Sequence, residues 1–301
     1  MRLILLYLLT VLIWGSSWFA ITFQIGVVAE SVSVFYRFLL AGVVLLSFCF
    51  ATGRNLRFSL KEHGFIALQG ACLFCINYVL IYYGTAYISS GLVAVAFSTL
   101  IIMNIVNAAV FLKKPVRLSV LVGALIGLLG ISLVFGDEIL QAREALRANA
   151  VWIGLLLVLV AAYFASLGNI LSARNQANGL PVLQVNGYGA LYGSLFMLVY
   201  SLFIGAELTL EWTLPFMGSL IYLMVFGTII AFWAYLSLVG EIGADKAAYA
   251  MVLFPIVALG ISTVFEGFTW TPLALAGVFL VVLGNVVIVG AKQLTRLFRI
   301  K

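Results

Sequence analysis

Residues 94–136 read AVAFSTLIIMNIVNAAVFLKKPVRLSVLVGALIGLLGISLVFG, and residues 248–290 read AYAMVLFPIVALGISTVFEGFTWTPLALAGVFLVVLGNVVIVG. Laid over each other at an offset of 154 residues, without a gap, they match at Ala94/Ala248, Ala96/Ala250, Ile102/Ile256, Val110/Val264, Phe111/Phe265, Leu121/Leu275 and Leu129/Leu283. They also match at Gly123/Gly277, Gly130/Gly284 and Gly136/Gly290. Apolar bias accounts for matched leucines and valines, but it does not favour glycine. The glycine pairs therefore mark an internal duplication.

The duplicated unit is built for lipid. Of 301 residues, 65% are hydrophobic and 9% charged, against about 45–50% apolar and about 25% charged in soluble domains. A spanning helix needs roughly 20 apolar residues. Reading between turn signals predicts ten spans, at 3–23, 32–51, 63–86, 90–112, 118–136, 150–172, 181–204, 214–239, 244–265 and 272–291. Pro181 and Pro272 suit the first turn of a helix, where a missing N–H costs nothing, and Thr271 is placed to cap the last span. The predicted fold is thus all-α, with ten transmembrane helices in two five-helix repeats around a central cavity. The repeats occupy 1–136 and 150–291, joined by a connector at 137–149 and followed by a basic tail at 292–301. The connector is either a short helix lying on the interface or a solvated link. The first apolar segment is followed at once by others and has no small-residue cleavage site, so it is predicted to be retained as a helix.

Positive charge sets the orientation. Arg2, Arg54, Arg57, Lys61, Lys113, Lys114, Arg117, Arg174, Lys246, Lys292, Arg296, Arg299 and Lys301 fall on one side, and only Arg143 and Arg147 on the other. Both termini are therefore expected in the cytoplasm of a bacterial inner-membrane protein. Five spans per copy is an odd number, so the second copy enters the membrane from the opposite side. Inverted repeats of this kind typify secondary transporters, with substrate bound near the midplane between the copies.

Several chemistries are disfavoured. The only histidine, His63, lies at a loop edge, and the ten acidic residues sit in loops or near helix ends; neither a hydrolytic centre nor a metal site is expected, and no cofactor is implied. Cys49, Cys72 and Cys75 lie in apolar segments and read as small buried hydrophobes. The net charge of +6 is spread over short loops and the tail, which suits membrane orientation rather than nucleic acid. Spans one and six lack an ionisable group, which argues for downhill or exchange transport without obligatory proton coupling.

The polar residues inside the spans are the candidate site. Asn77, Tyr78 and Tyr82 lie in INYVLIYYGTAY (76–87), with Tyr78 and Tyr82 one turn apart. Trp14 and Ser17 share a stripe of span one, and Tyr163 and Ser166 a stripe of span six, with Asn169 beyond them. Trp233 lies midway along span eight, Tyr249 in span nine, and Asn104 and Asn107 on one face of span four. A buried unpaired amide costs a few kcal/mol, so these groups are expected to face one another, a wet cavity or a ligand. Aromatic faces, hydroxyls and amides without net charge suit a neutral or zwitterionic solute with an apolar side chain. Arg37, placed near the outer end of span two, either attracts a substrate carboxylate there or reaches the interface. Pro255, Gly91 and Gly243 are candidate hinges.

WGSSWFAIT (14–22), YRFLLAG (36–42), YISSGLVAVAFSTL (87–100) and GEIGADKAAYAMVLFP (240–255) resemble the motifs of the drug/metabolite transporter superfamily with paired EamA-type repeats. The aromatic-rich spans are most similar to its YddG-type aromatic amino-acid exporters. The resemblance implies export of amino acids, aromatic ones included, by alternating access. Carriers of nucleosides, purines or hydrophobic drugs, and a lipid scramblase or pore, are the other readings. The expected partners are a small zwitterion and the bilayer, and short loops are compatible with a monomer. Family repeats often carry proline late in the fourth helix. Pro255 matches that pattern, whereas Ile101 stands in the first repeat.

Overall fold

A computed structural model describes residues 2–113, 116, 118–141, 145–235 and 249–298, with the side chains at 120, 136–141, 145–147, 249, 251–252 and 288–298 excepted. The helices are α1 Arg2–Thr22, α2 Glu30–Ala51, α3 Leu60–Gly70, α4 Asn77–Thr85, α5 Ser90–Phe97, α6 Leu100–Leu112, α7 Leu118–Gln141 and α8 Ala145–Ala177. They continue with α9 Val182–Phe203, α10 Leu214–Met224, α11 Tyr249–Phe265 and α12 Pro272–Phe298. Among the described residues no strand is present. Within those residues seven helical stretches are long and apolar enough to cross a membrane, and α7, α11 and α12 contain shorter apolar segments. Of the expected connector at 137–149, residues 137–141 belong to α7 and 145–149 to α8, and 142–144 lie outside the described residues.

Local sequence sets the helix ends. Ser59 and Glu62 form a reciprocal capping box at the start of α3, which satisfies two orphan backbone donors. Ser89 caps α5, and Thr271 Oγ1 accepts from Ala274 N at 3.1 Å at the start of α12. Pro115 lies outside the described residues.

Helical regularity breaks at Ser98–Thr99, between α5 and α6, and at two further places in the middle of spans. Ala71–Ile76 joins α3 to α4, and Val225–Ile230 follows α10, each as a single π-helical turn. Their start and end positions differ by the same 154-residue offset that aligns the repeats. Such wide turns leave backbone carbonyls free for other donors, and they are frequent at functional sites.

Lipid gives helices no hydrophobic reason to associate, so close van der Waals packing does that work. α7 packs along α12, α2 along α9, and α1 against α11. A Cβ on Gly130 would sit 2.5 Å from the Gly277 carbonyl oxygen, and one on Gly284 would sit 2.5 Å from that of Gly123. The pairing is crossed, early with late, so α7 and α12 run antiparallel. That is the geometry expected when the second copy is inserted upside down. Phe38, Phe74, Ile81, Leu92 and Val158 belong to the main buried cluster.

Each end of the bundle has its own apolar cluster. At the end bearing loop 52–59 and turn 178–181, Ile66, Leu180 and Val185 pack with Phe58, Tyr188 and Tyr192. At the opposite end, Val28 and Val32 pack against Phe216 and Leu220.

Candidate functional site

A cavity of about 290 Å³ lies where the two halves meet. Its deep part is walled by Trp14, Trp18, Tyr78, Phe97, Phe232 and Phe254. It runs from Ile21, Ile81 and Ala94 to Ser172, Gln176, Val182 and Asn186, beside turn 178–181. Beyond Ile21 and Ile81 a polar tie joins three elements. Tyr82 Oη donates to Gln24 Oε1 at 3.0 Å, and Gln24 Nε2 donates to Ser219 Oγ at 3.1 Å. Further along that end, Glu266 accepts from the Ser90 backbone N–H and from its hydroxyl.

The repeat shapes the walls. Tyr78 and Phe232, Ile81 and Tyr235, Leu100 and Phe254, and Ile101 and Pro255 are related by the same offset, and all eight line the cavity. The counterparts of Asn77 and Arg37 are Ala231 and Leu191. Arg37 and Asn77 thus have no polar counterpart at the matching positions of the second half.

The π-turns anchor these groups. The Asn77 amide donates to Leu73 O at 3.2 Å, within the first wide turn. In the second, the Trp14 indole donates to Gly227 O at 3.2 Å, and Thr228 Oγ1 donates to Leu223 O at 2.9 Å. Thr228 Oγ1 also accepts from Arg37 Nε and Nη2, both at 3.4 Å. Gly227 keeps this corner open: a Cβ there would lie 3.1 Å from Ser17 Oγ and 3.4 Å from Arg37 Nη2.

Of the sequence candidates, Trp14, Ser17, Asn77, Tyr78, Arg37 and Pro255 line the cavity together. Others lie elsewhere. Tyr82 is fully buried in the tie to Gln24, one turn beyond Tyr78. Tyr163 is 44% exposed on the outer surface of α8. Ser166 is buried against Asn107, whose amide donates to it at 2.9 Å. Asn104 accepts from Asn169 at 3.2 Å, and of these two it is Asn169 that reaches the cavity. Trp233, 56% exposed, borders a second cavity of about 340 Å³ with Leu45, Arg54 and Phe74. Gly91 is pressed against Leu259 and Ser262 of α11, which makes it a tight helix contact rather than an open pivot. Gly243 and the Tyr249 side chain lie outside the described residues.

Two corrections follow. The cavity is not free of charge, because Arg37 lies in its wall and is 1% exposed. Nor does Arg37 reach for the interface: its guanidinium stacks 4.5 Å from the Tyr78 ring centre and 5.2 Å from that of Phe38. These rings and Thr228 hold it at depth.

Trp18, Phe97, Phe232, Phe254 and Asn186 escaped the sequence reading. Their signal was available through the repeat for Phe232 and Phe254, which are the offset partners of Tyr78 and Leu100. Asn186 is recruited by a buried amide chain. It accepts from Gln69 at 3.2 Å, and Gln69 accepts from Asn175 at 3.0 Å.

Comparison with known proteins agrees with this architecture. The model of the EamA-like transporter family matches residues 1–136 and 152–290. The chain belongs to the EamA-like transporter family and is a membrane transporter. It is 26% identical to the uncharacterized transporter YoaV of Bacillus subtilis, over 82% of this chain and 83% of that one. It is 27% identical to the uncharacterized inner membrane transporter YedA of Escherichia coli K12, over 94% and 89% of the two chains. It is 20% identical to the protein PagO of Salmonella typhimurium, over 88% and 85%. A solved crystal structure superposes with a TM-score of 0.67 at 16% identity, covering 98% of this chain and 97% of that one. That likeness concerns the fold.

Proposed function

We propose that this protein exports amino acids, aromatic ones included, across the inner membrane by alternating access, moving them downhill or in exchange. One observation carries the reading: a cavity between the two halves whose deep part is ringed by six aromatic side chains and whose mouth carries Ser172, Gln176 and Asn186. Its volume, about 290 Å³, lies just below the roughly 300–1,000 Å³ typical of ligand pockets. That suits a solute of amino-acid size. Aromatic walls add about 0.5–1.5 kcal/mol per ring pair beyond area burial.

The side facing the mouth supports export. The cavity leads toward turn 178–181, which belongs with the basic loops at 52–59 and 113–117 on the side that positive charge assigns to the cytoplasm. An exporter loads from there. The far tie through Gln24, Tyr82 and Ser219 is the counterpart that must part for release. The two halves, mirrored about the cavity, supply two packings of similar kind for alternating access.

Counterflow of radiolabelled phenylalanine in proteoliposomes tests this. Saturable uptake driven by internal phenylalanine, and competed by other amino acids, is the expected result. Nucleosides or purines competing better than amino acids assigns a different substrate. Flux without saturation or exchange overturns the carrier reading in favour of a pore or scramblase.

A further inference from the structure

Among the residues lining the central cavity, three buried polar atoms have no hydrogen-bond partner: Arg37 Nη1, Trp18 Nε1 and Asn77 Oδ1. Two are donors, one of them cationic, and the third is an acceptor. The other unpartnered side-chain atoms, on Ser33, Gln184, Ser262 and Asn285, are not part of the cavity wall. An unsatisfied buried polar group carries its full desolvation cost, and for a buried charge without a partner that cost is several kcal/mol. All three belong to residues that line one cavity, which points to an occupant that reaches and satisfies them as the side chains adjust.

The charges identify its chemistry. Among the described residues no acidic side chain lines the cavity, and none of them neutralises Arg37. Thr228 gives the guanidinium only two long bonds from a neutral hydroxyl, and Tyr78 and Phe38 give it only ring faces. The Tyr82 hydroxyl also lies within hydrogen-bonding and electrostatic reach of Arg37, but it is a neutral group whose proton goes to Gln24, so it does not neutralise the guanidinium. Asn77 is fixed by its bond to Leu73 O, so its amide nitrogen is occupied and its oxygen is left to accept. The vacant demands are an anionic acceptor for Arg37, an acceptor for Trp18 and a donor for Asn77.

We infer that Arg37 and Asn77 form a two-point anchor for an α-amino acid, with the carboxylate on Arg37 Nη1 and the ammonium on Asn77 Oδ1. Trp18 Nε1 is a second donor on the carboxylate side, and Thr228 is a positioning residue that aims the guanidinium. Both polar anchors come from the first half, whereas the rings come from both. Head-group recognition and side-chain recognition are therefore separable, and the anchor does not depend on the side chain. It rests on the amino-acid reading above, and it adds that the carboxylate is obligatory while the ammonium only tightens binding.

Binding to purified protein in nanodiscs decides the matter. The ligands are L-phenylalanine, 3-phenylpropionate, 2-phenylethylamine and L-leucine. Wild type is expected to bind phenylalanine best, phenylpropionate less well and phenylethylamine least. Arg37→Gln should weaken phenylalanine, leucine and phenylpropionate by about 10-fold or more, in line with loss of a charge-assisted bond, and leave phenylethylamine unchanged or tighter. Asn77→Leu should bring phenylalanine down to the phenylpropionate level and leave phenylpropionate as it was. Thr228→Val should give an intermediate loss confined to carboxylates. Where Arg37→Gln yields no monodisperse protein on gel filtration, the Asn77 and Thr228 variants decide.

An equal loss for all ligands, or wild-type binding of phenylethylamine as tight as phenylalanine, overturns the anchor. Leucine binding that depends on Arg37, with no phenyl compound bound, keeps the anchor and removes only the aromatic preference. No binding of any carboxylate removes the anchor itself.

Discussion

The indole nitrogen of Trp14 donates to the backbone carbonyl of Gly227 at 3.2 Å, so a side chain from the first span closes on a wide turn of the eighth. The same ring contacts Phe232, Tyr235 and Phe254 at centroid distances of 5.3–5.4 Å. One residue thus joins both halves and forms part of the cavity wall. Trp14→Phe keeps much of the ring and loses the bond. Interhelical hydrogen bonds in membranes average about 0.6 kcal/mol, so thermal unfolding in detergent should shift only slightly. Phenylalanine flux should fall more than stability does, because the ring stack that faces substrate loses its fixed orientation.

The antiparallel contact of α7 and α12 has no room for a methyl group at Gly130, Gly277 or Gly284, whereas a Cβ on Gly127 meets nothing within 4 Å. Gly130→Ala should therefore cost about 1–3 kcal/mol, the usual range for overpacking. Gly127→Ala should leave unfolding within about 0.5 kcal/mol of wild type. Comparing the two by detergent titration separates close packing from helix propensity, since both changes improve propensity equally.

Tyr82→Phe removes one hydroxyl and leaves the Gln24 side-chain oxygen buried without its donor. The loss weakens the tie at the end of the bundle opposite the cavity mouth. The expected result is a shift toward the conformation open at that end. A cysteine introduced at Ile21, which lines the deep cavity, should react faster with a membrane-impermeant thiol reagent applied from outside the cell. An unchanged rate would mean that other contacts, such as Glu266 on the start of α5, hold that end alone.

Pro255 lies inside α11 and in the cavity wall. Proline removes one backbone hydrogen bond from the helix interior, which makes α11 easier to bend there than at Ile101, its counterpart in α6. Pro255→Ala should slow exchange several-fold while leaving the affinity for substrate within about twofold. Equal exchange rates for the two proteins would remove Pro255 from the conformational step. The pairing of small rate effects with binding tells a hinge from a contact residue.

The spans and the duplication were legible in the chain because each depends on local physics. A stretch long and apolar enough to cross lipid is a property of about twenty consecutive residues, and the helices at Ser90–Leu112, Val182–Phe203 and Pro272–Phe298 begin within a residue of the positions read from sequence. Glycines at matched places marked the duplication, and the same glycines form the close contact of α7 with α12. The site was only partly legible. In a chain with 14% aromatic residues, an aromatic ring serves the lipid face, the packed interior and the cavity equally well, so composition does not separate Tyr163 and Trp233 from Tyr78.

The phase of the helices is what composition could not supply. In a regular α-helix each residue turns by a fixed increment, and the face of a side chain follows from its number. The wide turns at Ala71–Ile76 and Val225–Ile230 change that increment in mid-span, so faces counted from the start of either span no longer hold beyond them. The amino-acid sequence by itself determined that this chain is a duplicated bundle of apolar helices, because lipid imposes that solution residue by residue. Only the tertiary structure decided that Arg37 is held at depth between Tyr78 and Thr228, because that placement depends on side chains from opposite halves, each set by its own wide turn, closing on one guanidinium.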